Sequence, residues 1–296
     1  MAIVTISSSS EPDANSFITT NLYRAPVWFG DEIVADPGQM VLIGSNGYGA
    51  LYGGAFTYSS TGRASGQVFS FEFAVGASQS ESGAYSANTQ YQFSELNGTN
   101  GLSAEKLYQF GVNGNSTGAL KYLLSRNDVI YGSGFDNYSV DEILYGWGGK
   151  DKIYGVDGND IIGGGAGRDT LVGGNGEDYF FIDSIRPKDA DKIVDFGFGG
   201  VRDKIVLQQS AFGDLALGEL LADQFVVGTA AADADDRIIL NAGKVYYDAD
   251  GNGAGMAVMI AKVAYAEVVP TGVLQLSAGD FRVVDALENI VLLASL

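Results

Sequence analysis

The sequence predicts an all-β protein with an N-terminal antiparallel β domain, a central parallel β-roll and a C-terminal β module. Three observations carry this prediction. Residues 146–181 form four consecutive nonapeptides, residues 1–127 contain alternating apolar and polar runs, and residues 229–263 contain two alternating segments in succession. A glycine-rich nonapeptide repeat is typical of a parallel β-roll, and period-two alternation is typical of strands with one buried face. The predicted domains are 1–127, 128–181 and 182–296.

The N-terminal domain, residues 1–127, is rich in Gly, Ser, Thr, Asn and aromatic residues. Alternating runs such as 68–73 (VFSFEF) predict antiparallel strands, and two short helical patches are predicted at 103–110 and 118–124. Aromatic residues in strands are ordinarily core residues, but an open row would suit sugar stacking and burial against a second copy would indicate assembly. The tyrosines that decide between these roles are Tyr48, Tyr52, Tyr58, Tyr85 and Tyr91.

The four nonapeptides read GWGGKDKIY, GVDGNDIIG, GGAGRDTLV and GGNGEDYFF, each with Asp at its sixth place. Glycine at the first, second and fourth places permits the positive φ angles of a tight turn and leaves backbone carbonyls uncovered. The last three places form a short strand whose central side chain points into the roll, because strand side chains alternate between faces. The predicted inward residues are Ile153, Ile162, Leu171 and Phe180.

These turns have the chemistry of a calcium site. Ca²⁺ takes roughly six to eight oxygen ligands, and carbonyls plus carboxylates from two stacked turns can supply about six. One coil of a roll uses two nonapeptides, so turns on the same side are 18 residues apart. This spacing pairs Asp151 with Asp169 and Asp160 with Asp178. The alternative is a structural glycine-rich turn that holds no ion.

The run resembles the RTX proteins, the calcium-binding repeat proteins of type I secretion, and this resemblance implies two Ca²⁺ ions held between paired turns. The first ion would take the carbonyls of Trp147, Gly149, Gly164 and Ala166 with the carboxylates of Asp151 and Asp169. The second would take the carbonyls of Val156, Gly158, Gly173 and Asn175 with the carboxylates of Asp160 and Asp178.

The ends of the run depart from the repeat pattern. Trp147 and Val156 replace the second glycine, which is tolerable if only their carbonyls bind the ion. The segment 137–145 keeps Leu144 in register but has Glu142 where Asp is expected. The sequence leaves open whether Glu142 pairs with Asp160 in a third site. Residues 128–145 are predicted to cap the roll, because a solenoid needs an atypical end repeat over its open core.

The segment after the repeats, 189–207 (DADKIVDFGFGGVRDKIVL), is similar to the stretch that follows the repeats in serralysin-like RTX modules. This similarity implies that Asp191 completes the last calcium cage. Residues 229–263 resemble the paired strands of the same module, with apolar residues alternating at Val245 and Tyr247 and again at Val258 and Ile260.

Residues 248–253 (DADGNG) match the opening of an EF-hand loop. The twelfth place of that loop needs a bidentate Glu, and here it is Met259. An EF-hand is therefore excluded. A tight hairpin turn is predicted instead, with an incidental weak calcium site as the alternative.

The charge of the chain is concentrated beside the repeats. The net charge is −19, with 9 acidic and 5 basic residues in 1–127 and 27 acidic and 12 basic residues in 128–296. Bound cations would remove the self-repulsion of the second half and let it condense. Nucleic acid and anionic membranes are poor partners for such a field, and no apolar run approaches the length of a membrane span.

The absence of His and Cys restricts the kinds of catalytic site that the chain can form. The chain has no His and no Cys, which excludes the zinc site of the RTX proteases, a Ser-His-Asp triad and a thiol nucleophile. Carboxylate-pair glycosidases and Tyr-based polysaccharide lyases are conceivable, but no motif supports either. We therefore expect a protein that is not an enzyme.

The export route is predicted from both ends of the sequence. Residues 1–10 (MAIVTISSSS) lack the basic start and long apolar core of a cleavable signal peptide. Residues 280–284 (DFRVV) resemble the acidic and apolar signal that type I exporters of RTX proteins read near the C-terminus. We expect export of the unfolded chain, folding on external calcium, and packing of the apolar face of 285–296 either on the domain or on a neighbouring molecule.

The predicted function is that of a secreted, non-catalytic, calcium-binding RTX protein at the cell surface or outside the cell. Its expected partners are the type I secretion apparatus and either further copies of itself, in a surface layer, filament or matrix, or a cell-surface polysaccharide. The alternatives are a secreted polysaccharide-active enzyme and a carbohydrate-binding module, each with an RTX tail. Both would need a suitable cleft or open aromatic face in residues 1–127.

Overall fold

The computed structural model describes residues 3–6, 32–35, 39–43, 48–58, 64–79, 85–94, 102–103, 121–122, 124–132, 141–265 and 276–286. The chain divides into two compact units, 1–133 and 134–296. Strands dominate both, which confirms the all-β prediction. In these ranges no helix has the length and apolar character needed to cross a bilayer.

The first unit contains long antiparallel strands. Its strands are β1 (Ile3–Ile6), β2 (Glu32–Ala35), β3 (Gln39–Ile43), β4 (Tyr48–Tyr58), β5 (Ala64–Gln79), β6 (Tyr85–Ser94), β7 (Leu102–Ser103) and β8 (Val129–Tyr131). They follow the order β2-β3-β4-β5-β6-β1-β8, with β7 beside β5. Neighbours are antiparallel except β1 and β8.

The alternating run 68–73 lies inside β5, as its pattern predicts. Most of the two predicted helical patches, and the side-chain directions of the five tyrosines named above, lie outside the described structure. Residues 121–122, which belong to the second patch, are helical.

The second unit contains shorter strands. They are β9 (Ile143–Tyr145), β10 (Gly148–Gly149), β11 (Lys152–Asp157), β12 (Ile161–Gly163), β13 (Ala166–Gly167), β14 (Thr170–Asn175), β15 (Tyr179–Ile182), β16 (Asp191–Phe196), β17 (Lys204–Gln208), β18 (Gly218–Glu219), β19 (Phe225–Val227), β20 (Ile238–Asn241), β21 (Lys244–Tyr247), β22 (Val258–Tyr265) and β23 (Phe281–Val284).

These strands build a parallel roll. One wall runs β11-β14-β16-β22 and the other runs β9-β12-β15-β17-β23, with each neighbouring pair parallel. The registers place Ile153 opposite Leu171 in the first wall and Ile162 opposite Phe180 in the second. Successive coils of the repeat are therefore offset by 18 residues, as the sequence predicts.

The core of the roll consists of two stacks of apolar side chains. The first wall contributes Ile153, Leu171, Ile193 and Val263, and the second contributes Leu144, Ile162, Phe180, Ile205 and Phe281. All are buried, and all but Val263 are 0% exposed. Burial of each such side chain contributes about 1.5–3 kcal/mol. The eighth place of every nonapeptide points inward, as expected.

The two walls differ on their outer faces. Lys152 and Lys192 of the first wall are exposed to solvent. On the second wall Tyr145, Phe181 and Val206 are buried although they alternate with the inward residues. A parallel sheet buried on both faces reads as a continuous apolar run. This explains why 179–182 (YFFI) lacks the alternation of an exposed strand.

The C-terminal module extends the first wall through antiparallel strands. β20 and β21 form a hairpin whose central residues, Ala242 and Gly243, have φ of 49° and 74°. This two-residue connection has the positive φ angles favoured in hairpins. β21 then pairs with β22, so the paired strands predicted around Val245, Tyr247, Val258 and Ile260 are present. The connection at 248–257 is a long loop, and the tight hairpin turn predicted there is wrong.

An ion pair joins the segment before β17 to the segment before β23 in the second wall. Arg202 donates to the carboxylate of Asp280 from both Nε and Nη2. Burial alone would raise the pKa of Asp280, but the hydrogen bonds from Arg202 and Ser277 outweigh it and lower that pKa. Asp280 and Phe281 are fully buried, and Phe281–Val284 pair with β17. The segment that resembles an export signal is thus part of the folded core.

Candidate metal centre

The turns of the four nonapeptides have a repeated backbone conformation. Residues at the second place have left-handed φ angles: Trp147 66°, Val156 85°, Gly165 83° and Gly174 101°. Residues at the fourth place reach still more positive values: Gly149 140°, Gly158 141°, Gly167 142° and Gly176 132°. Glycine is free to adopt such angles, but a β-branched residue such as Val156 is strained there.

The first-place glycines do not have positive φ angles, so the reason predicted for them is wrong. Their role is to allow a close approach. A Cβ on Gly155 would clash with Oδ2 of Asp160 and with the carbonyl oxygen of Gly173 in the next coil. Gly146 is related in the same way to Asp151 and to the carbonyl of Gly164, which would lie 2.9 Å from the added Cβ. Only glycine leaves this space between a carboxylate and a carbonyl open.

The acidic residues form two vertical columns. The first column consists of Asp151, Asp169 and Asp191, and the second consists of Glu142, Asp160, Asp178 and Asp203. Within each column the backbone N–H of one residue donates to Oδ1 of the next residue, at 2.7–3.0 Å. All seven side chains are buried, with at most 3% of each residue exposed. The pairs Asp151 with Asp169 and Asp160 with Asp178 are neighbours, as the sequence predicts.

Three aspartates of the columns have a buried carboxylate oxygen that meets no hydrogen-bond donor. Oδ2 of Asp160, Asp169 and Asp178 is buried and accepts no hydrogen bond. Burial, followed by the charges of Glu142 and Asp178, raises the pKa of Asp160 well above its usual value. Burial also raises the pKa of Asp178 to about 7, with further increases from nearby acidic residues such as Asp203. A buried anionic oxygen without a donor is costly unless a cation meets it.

The carbonyls predicted as ligands lie in the paired turns, and their role as ligands stays a prediction. A Cβ added in the upper turn would meet a carbonyl of the lower turn in four places, and these carbonyls belong to Trp147, Gly149, Val156 and Gly158. The carbonyls of Gly164 and Gly173 adjoin Asp151 and Asp160, that of Ala166 faces Gly148, and that of Asn175 accepts the N–H of Gly158. Carboxylate and carbonyl oxygens are the ligands that Ca²⁺ prefers, so the donor set fits calcium.

Glu142 and Asp191 extend the columns beyond the matched pairs. The N–H of Glu142 donates to Asp160 at 2.9 Å, which places Glu142 at the position of an Asp in the coil below. Asp169 donates its N–H to Asp191 at 3.0 Å. Burial and the charge of Asp169 raise the pKa of Asp191 well above its usual value. Glu142 therefore lies next to Asp160, where the sequence left a third site open, and Asp191 lies next to Asp169, where the resemblance implies the end of the last cage. Their binding of an ion stays a prediction.

The repeat pattern does not predict two further aspartates of the site, Asp203 and Asp195. Asp203 ends the second column, and its signal is the tripeptide Asp-Lys-Ile, which occurs at 151–153, 191–193 and again at 203–205. Asp195 accepts the N–H groups of Gly173 and Gly174 at 2.9 and 3.0 Å. Neither keeps the 18-residue spacing, which hides both in the sequence.

A separate series of hydrogen bonds at the fifth place needs no ion. Asn159 donates its N–H to Asp141 at 2.7 Å, and Glu177 donates its N–H to Oδ1 of Asn159 at 2.8 Å. These bonds run in the direction opposite to those of the second column. They join its coils to one another independently of the metal.

The loop 248–257 shows no comparable arrangement. Asp248 is buried and accepts the N–H of Asp250 at 3.3 Å, and Asp250 in turn accepts the N–H of Gly255 at 2.9 Å. In the described part of the chain, no group of three acidic side chains is placed to hold a metal ion. The cages predicted for the roll instead use two carboxylates and backbone carbonyls, while the loop is held by its own hydrogen bonds.

Of the comparisons with known proteins, the family match covers the turns described above. The RTX calcium-binding nonapeptide repeat, a family model of four copies, matches residues 141–162 and 154–181. The solution structure of the AlgE6R3 subunit from the Azotobacter vinelandii mannuronan C5-epimerase is 28% identical, with a TM-score of 0.33. The match covers 55% of this chain and 80% of that one. No curated protein matches the chain.

Proposed function

Because residues 141–181 are RTX calcium-binding repeats, we propose that this chain is a secreted protein that folds on calcium outside the cell and has no catalytic role. Its N-terminal unit makes the specific contacts, by self-association or attachment in a surface layer, filament or matrix. The observation that carries the proposal is the pair of buried carboxylate columns. They make the folded state of the roll depend on a divalent cation that is scarce inside cells and abundant outside.

The position of residues 280–284 supports export before folding. Asp280 is held by Arg202 and Phe281 lies in the core of the roll. An exporter that reads this segment has access to it only in the unfolded chain. Low calcium keeps the roll unfolded, because the column carboxylates then repel one another and lose solvation on burial.

The first unit supplies a surface suited to self-association. Among the described strands of that unit, β2 forms the outer edge of the strand order and pairs only with β3. Such an edge can accept a strand from a second copy. The net charge of −19 opposes this contact until calcium screens it. Assembly is therefore expected only above the calcium concentration that folds the roll.

The export step is tested with two single substitutions that separate signal from fold. Asp280→Asn changes the acidic residue of the segment, whereas Arg202→Gln breaks the same ion pair and leaves residues 280–284 intact. We expect Asp280→Asn to reduce secretion through a type I exporter and Arg202→Gln to leave it unchanged. Deletion of 280–296 should abolish secretion, and deletion of 1–127 should not. Normal secretion after the C-terminal deletion would place the signal elsewhere.

The assembly step is tested by light scattering of the intact protein during a calcium titration. Val34→Lys places a charge on β2 and should prevent growth in particle size at millimolar calcium. Met256→Lys adds the same charge at a residue that is 90% exposed in the second unit and should assemble normally. A strictly monomeric wild-type protein at high concentration and millimolar calcium would eliminate self-association and favour ligand binding or catalysis.

A further inference from the structure

Four lysines lie in one row across the outer face of the first wall. The strand registers place Lys152 opposite Thr170, Thr170 opposite Lys192, Lys192 opposite Lys262 and Lys262 opposite Lys244. Each of these five residues directly precedes a buried apolar residue of its strand, so the row faces outward. All four lysines are exposed. We call them the lysine row.

The lysine row is straight and regularly spaced. Neighbouring strands lie about 4.8 Å apart, so a row that crosses β11, β14, β16, β22 and β21 is roughly 19 Å long. Thr170 interrupts the positive charge on β14. Lys150 and Arg168, two residues before Lys152 and Thr170, are also exposed and widen the positive area at this end. The row runs across the strands and therefore along the axis of the roll.

The face that carries the lysine row has a charge opposite to that of the whole protein. The net charge of the chain is −19. Two residues further along the same five described strands, the outward positions hold no acidic residue and are Tyr154, Val172, Val194, Ala264 and Tyr246. Within the described part of the chain, no ion pair involves a lysine of the row. The positive charge of this face is thus available to an anionic partner.

The lysine row ends beside a cleft of the C-terminal module. Asn241 lies opposite Lys244, and Tyr246 follows Lys244 by two residues on the same face. Asn241, Tyr246 and Asn252 line a cleft of about 400 Å³. Amide groups both donate and accept hydrogen bonds, as sugar hydroxyls require, and an aromatic ring offers an apolar face to a sugar ring. Asp248 also lines the cleft and would repel an acidic group there.

The shape and charge of this face distinguish between anionic partners. A straight row suits a linear polymer that lies across the strands. Double-stranded DNA carries one negative charge per about 1.7 Å, and the net charge of the protein opposes so dense a polyanion. A polysaccharide with a carboxylate on each sugar has a lower charge density and also has hydroxyl-bearing rings. Only the polysaccharide has groups for both the lysine row and the cleft.

We propose that the lysine row and the adjoining cleft bind a linear acidic polysaccharide. The lysines of the row contact its carboxylates, and the cleft beside Lys244 holds one sugar ring with its acidic group turned towards the row. This binding is a function of the second unit and is separate from the contacts proposed for the first. It needs the folded roll, and it is independent of export and self-association.

Binding is tested by isothermal titration calorimetry of the intact protein in millimolar calcium. The probe is a short oligogalacturonate, and the neutral comparison is a dextran oligosaccharide of the same length. The acidic probe should bind, with an affinity that falls as sodium chloride is raised, and dextran should bind far more weakly. A folded protein that binds both sugars equally, binds neither, or binds single-stranded DNA more tightly than oligogalacturonate would overturn the inference. Calcium-dependent folding would be unaffected by any of these results.

The lysine row is tested with two substitutions that change the net charge equally. Lys262→Glu reverses a charge within the row and should weaken binding of oligogalacturonate on the order of tenfold. Lys204→Glu is the matched control, because Lys204 lies on the second wall and donates to the carbonyl of Gly279 at 2.7 Å. The control should bind as wild type does. Circular dichroism in calcium checks that both variants are folded, and equal affinities of the two would contradict the row.

The cleft is tested separately with Asn252→Ala. Asn252 is exposed, and the hydrogen bond that holds its loop comes from its backbone N–H to the carbonyl of Asp233. Removal of the amide side chain should therefore leave the fold intact and weaken binding by a factor of about 2–10, the range for one hydrogen bond. The salt dependence should stay that of wild type, because no charge is lost. Unchanged affinity would remove the cleft from the site.

Discussion

The backbone N–H of Asp151 donates to Oδ1 of Asp169 at 2.7 Å, although the two residues are 18 positions apart in the sequence. The bond stacks one turn of the roll on the next and aligns their carboxylates. Equivalent bonds join Asp160 to Asp178 and Asp169 to Asp191. The same hydrogen bonds that build the roll thus gather anionic oxygens in its interior. Either a bound cation or protonation makes that gathering favourable.

The first prediction concerns the charge of one column residue. Asp160→Asn keeps the oxygen that accepts the N–H of Glu142 and removes the negative charge from the shared cage. In calcium we expect a loss of about 3 kcal/mol in unfolding free energy, the order found when one partner of a buried charge pair is removed. Thermal or urea unfolding in saturating calcium measures it.

The matched control for that prediction is Asp248→Asn. Asp248 is buried as well, but the other carboxylate of its loop, Asp250, is exposed and does not form a buried pair with it. A neutral Asn avoids the cost of burying charge, so the change should be within about 0.5–1 kcal/mol of wild type. Equal destabilisation by both substitutions would mean that the columns are not the metal centre.

The second prediction concerns backbone strain at the second place of the repeat. Val156 has φ of 85°, which costs a β-branched residue on the order of 1–3 kcal/mol. Val156→Gly removes this strain. It also costs roughly 0.5–1 kcal/mol of unfolding free energy, because glycine gives the unfolded chain more conformational freedom. The side chain is only half-buried, so little packing is lost. Urea unfolding in calcium should show stability equal to wild type or slightly higher.

The reverse substitution at the equivalent place one coil above, Gly174→Val, should lower the stability of the roll. Gly174 has φ of 101°, and a Cβ there would lie 2.8 Å from the carbonyl carbon of Val156 and closer still to its oxygen. Gly174→Val should therefore destabilise the roll by about 3 kcal/mol, from strain and overpacking together. If Val156→Gly were the more damaging of the two, the described turn conformation would be wrong.

How much of this arrangement can be predicted depends on whether a residue keeps the period of nine. Ile153, Ile162, Leu171 and Phe180 keep it, and their inward positions follow from alternation alone. The pairs of Asp residues also follow, since a coil of two nonapeptides fixes the spacing. Glu142 stays in register despite its different side chain. These features need only the sequence and the geometry of a strand.

Features that depart from the period of nine cannot be predicted from the sequence and are seen only in the structure. Asp203 lies 25 residues after Asp178, because the turn at 197–200 and the residues around it lengthen the last coil. The first-place glycines were expected to adopt positive φ angles, whereas they are required because a Cβ would clash with the Asp of their own turn. Period-two reasoning also cannot anticipate the burial of Phe181, since that depends on what covers the second wall.

The third prediction concerns pH in the absence of calcium. In the metal-free roll burial raises the pKa of Asp178 to about 7 and that of Asp203 to about 6, from a usual value of 3.8. Between about pH 4 and pH 7 the folded state therefore binds more protons than the unfolded state, and its stability falls as pH rises through this window. With a chelator present, β content should increase on acidification from about pH 8 to about pH 5.

With calcium present, the stability of the roll should depend on pH in the opposite direction. Ligand carboxylates must be ionised, so protons compete with the ion and the calcium midpoint of folding should rise on acidification. Far-UV circular dichroism during calcium titrations at the two pH values measures both effects. A chelated protein that loses β content on acidification would contradict the assignment of the columns as desolvated carboxylates.

The most direct test of the account is the calcium dependence of folding in the intact protein at neutral pH. Far-UV circular dichroism in EGTA should show loss of the β signal of residues 134–296, and addition of millimolar calcium should restore it cooperatively. Magnesium at the same concentration should restore much less, because Mg²⁺ demands a tighter octahedral site and dehydrates reluctantly. Equal β content in EGTA and in calcium would contradict the claim that buried carboxylate columns make this roll fold on its metal.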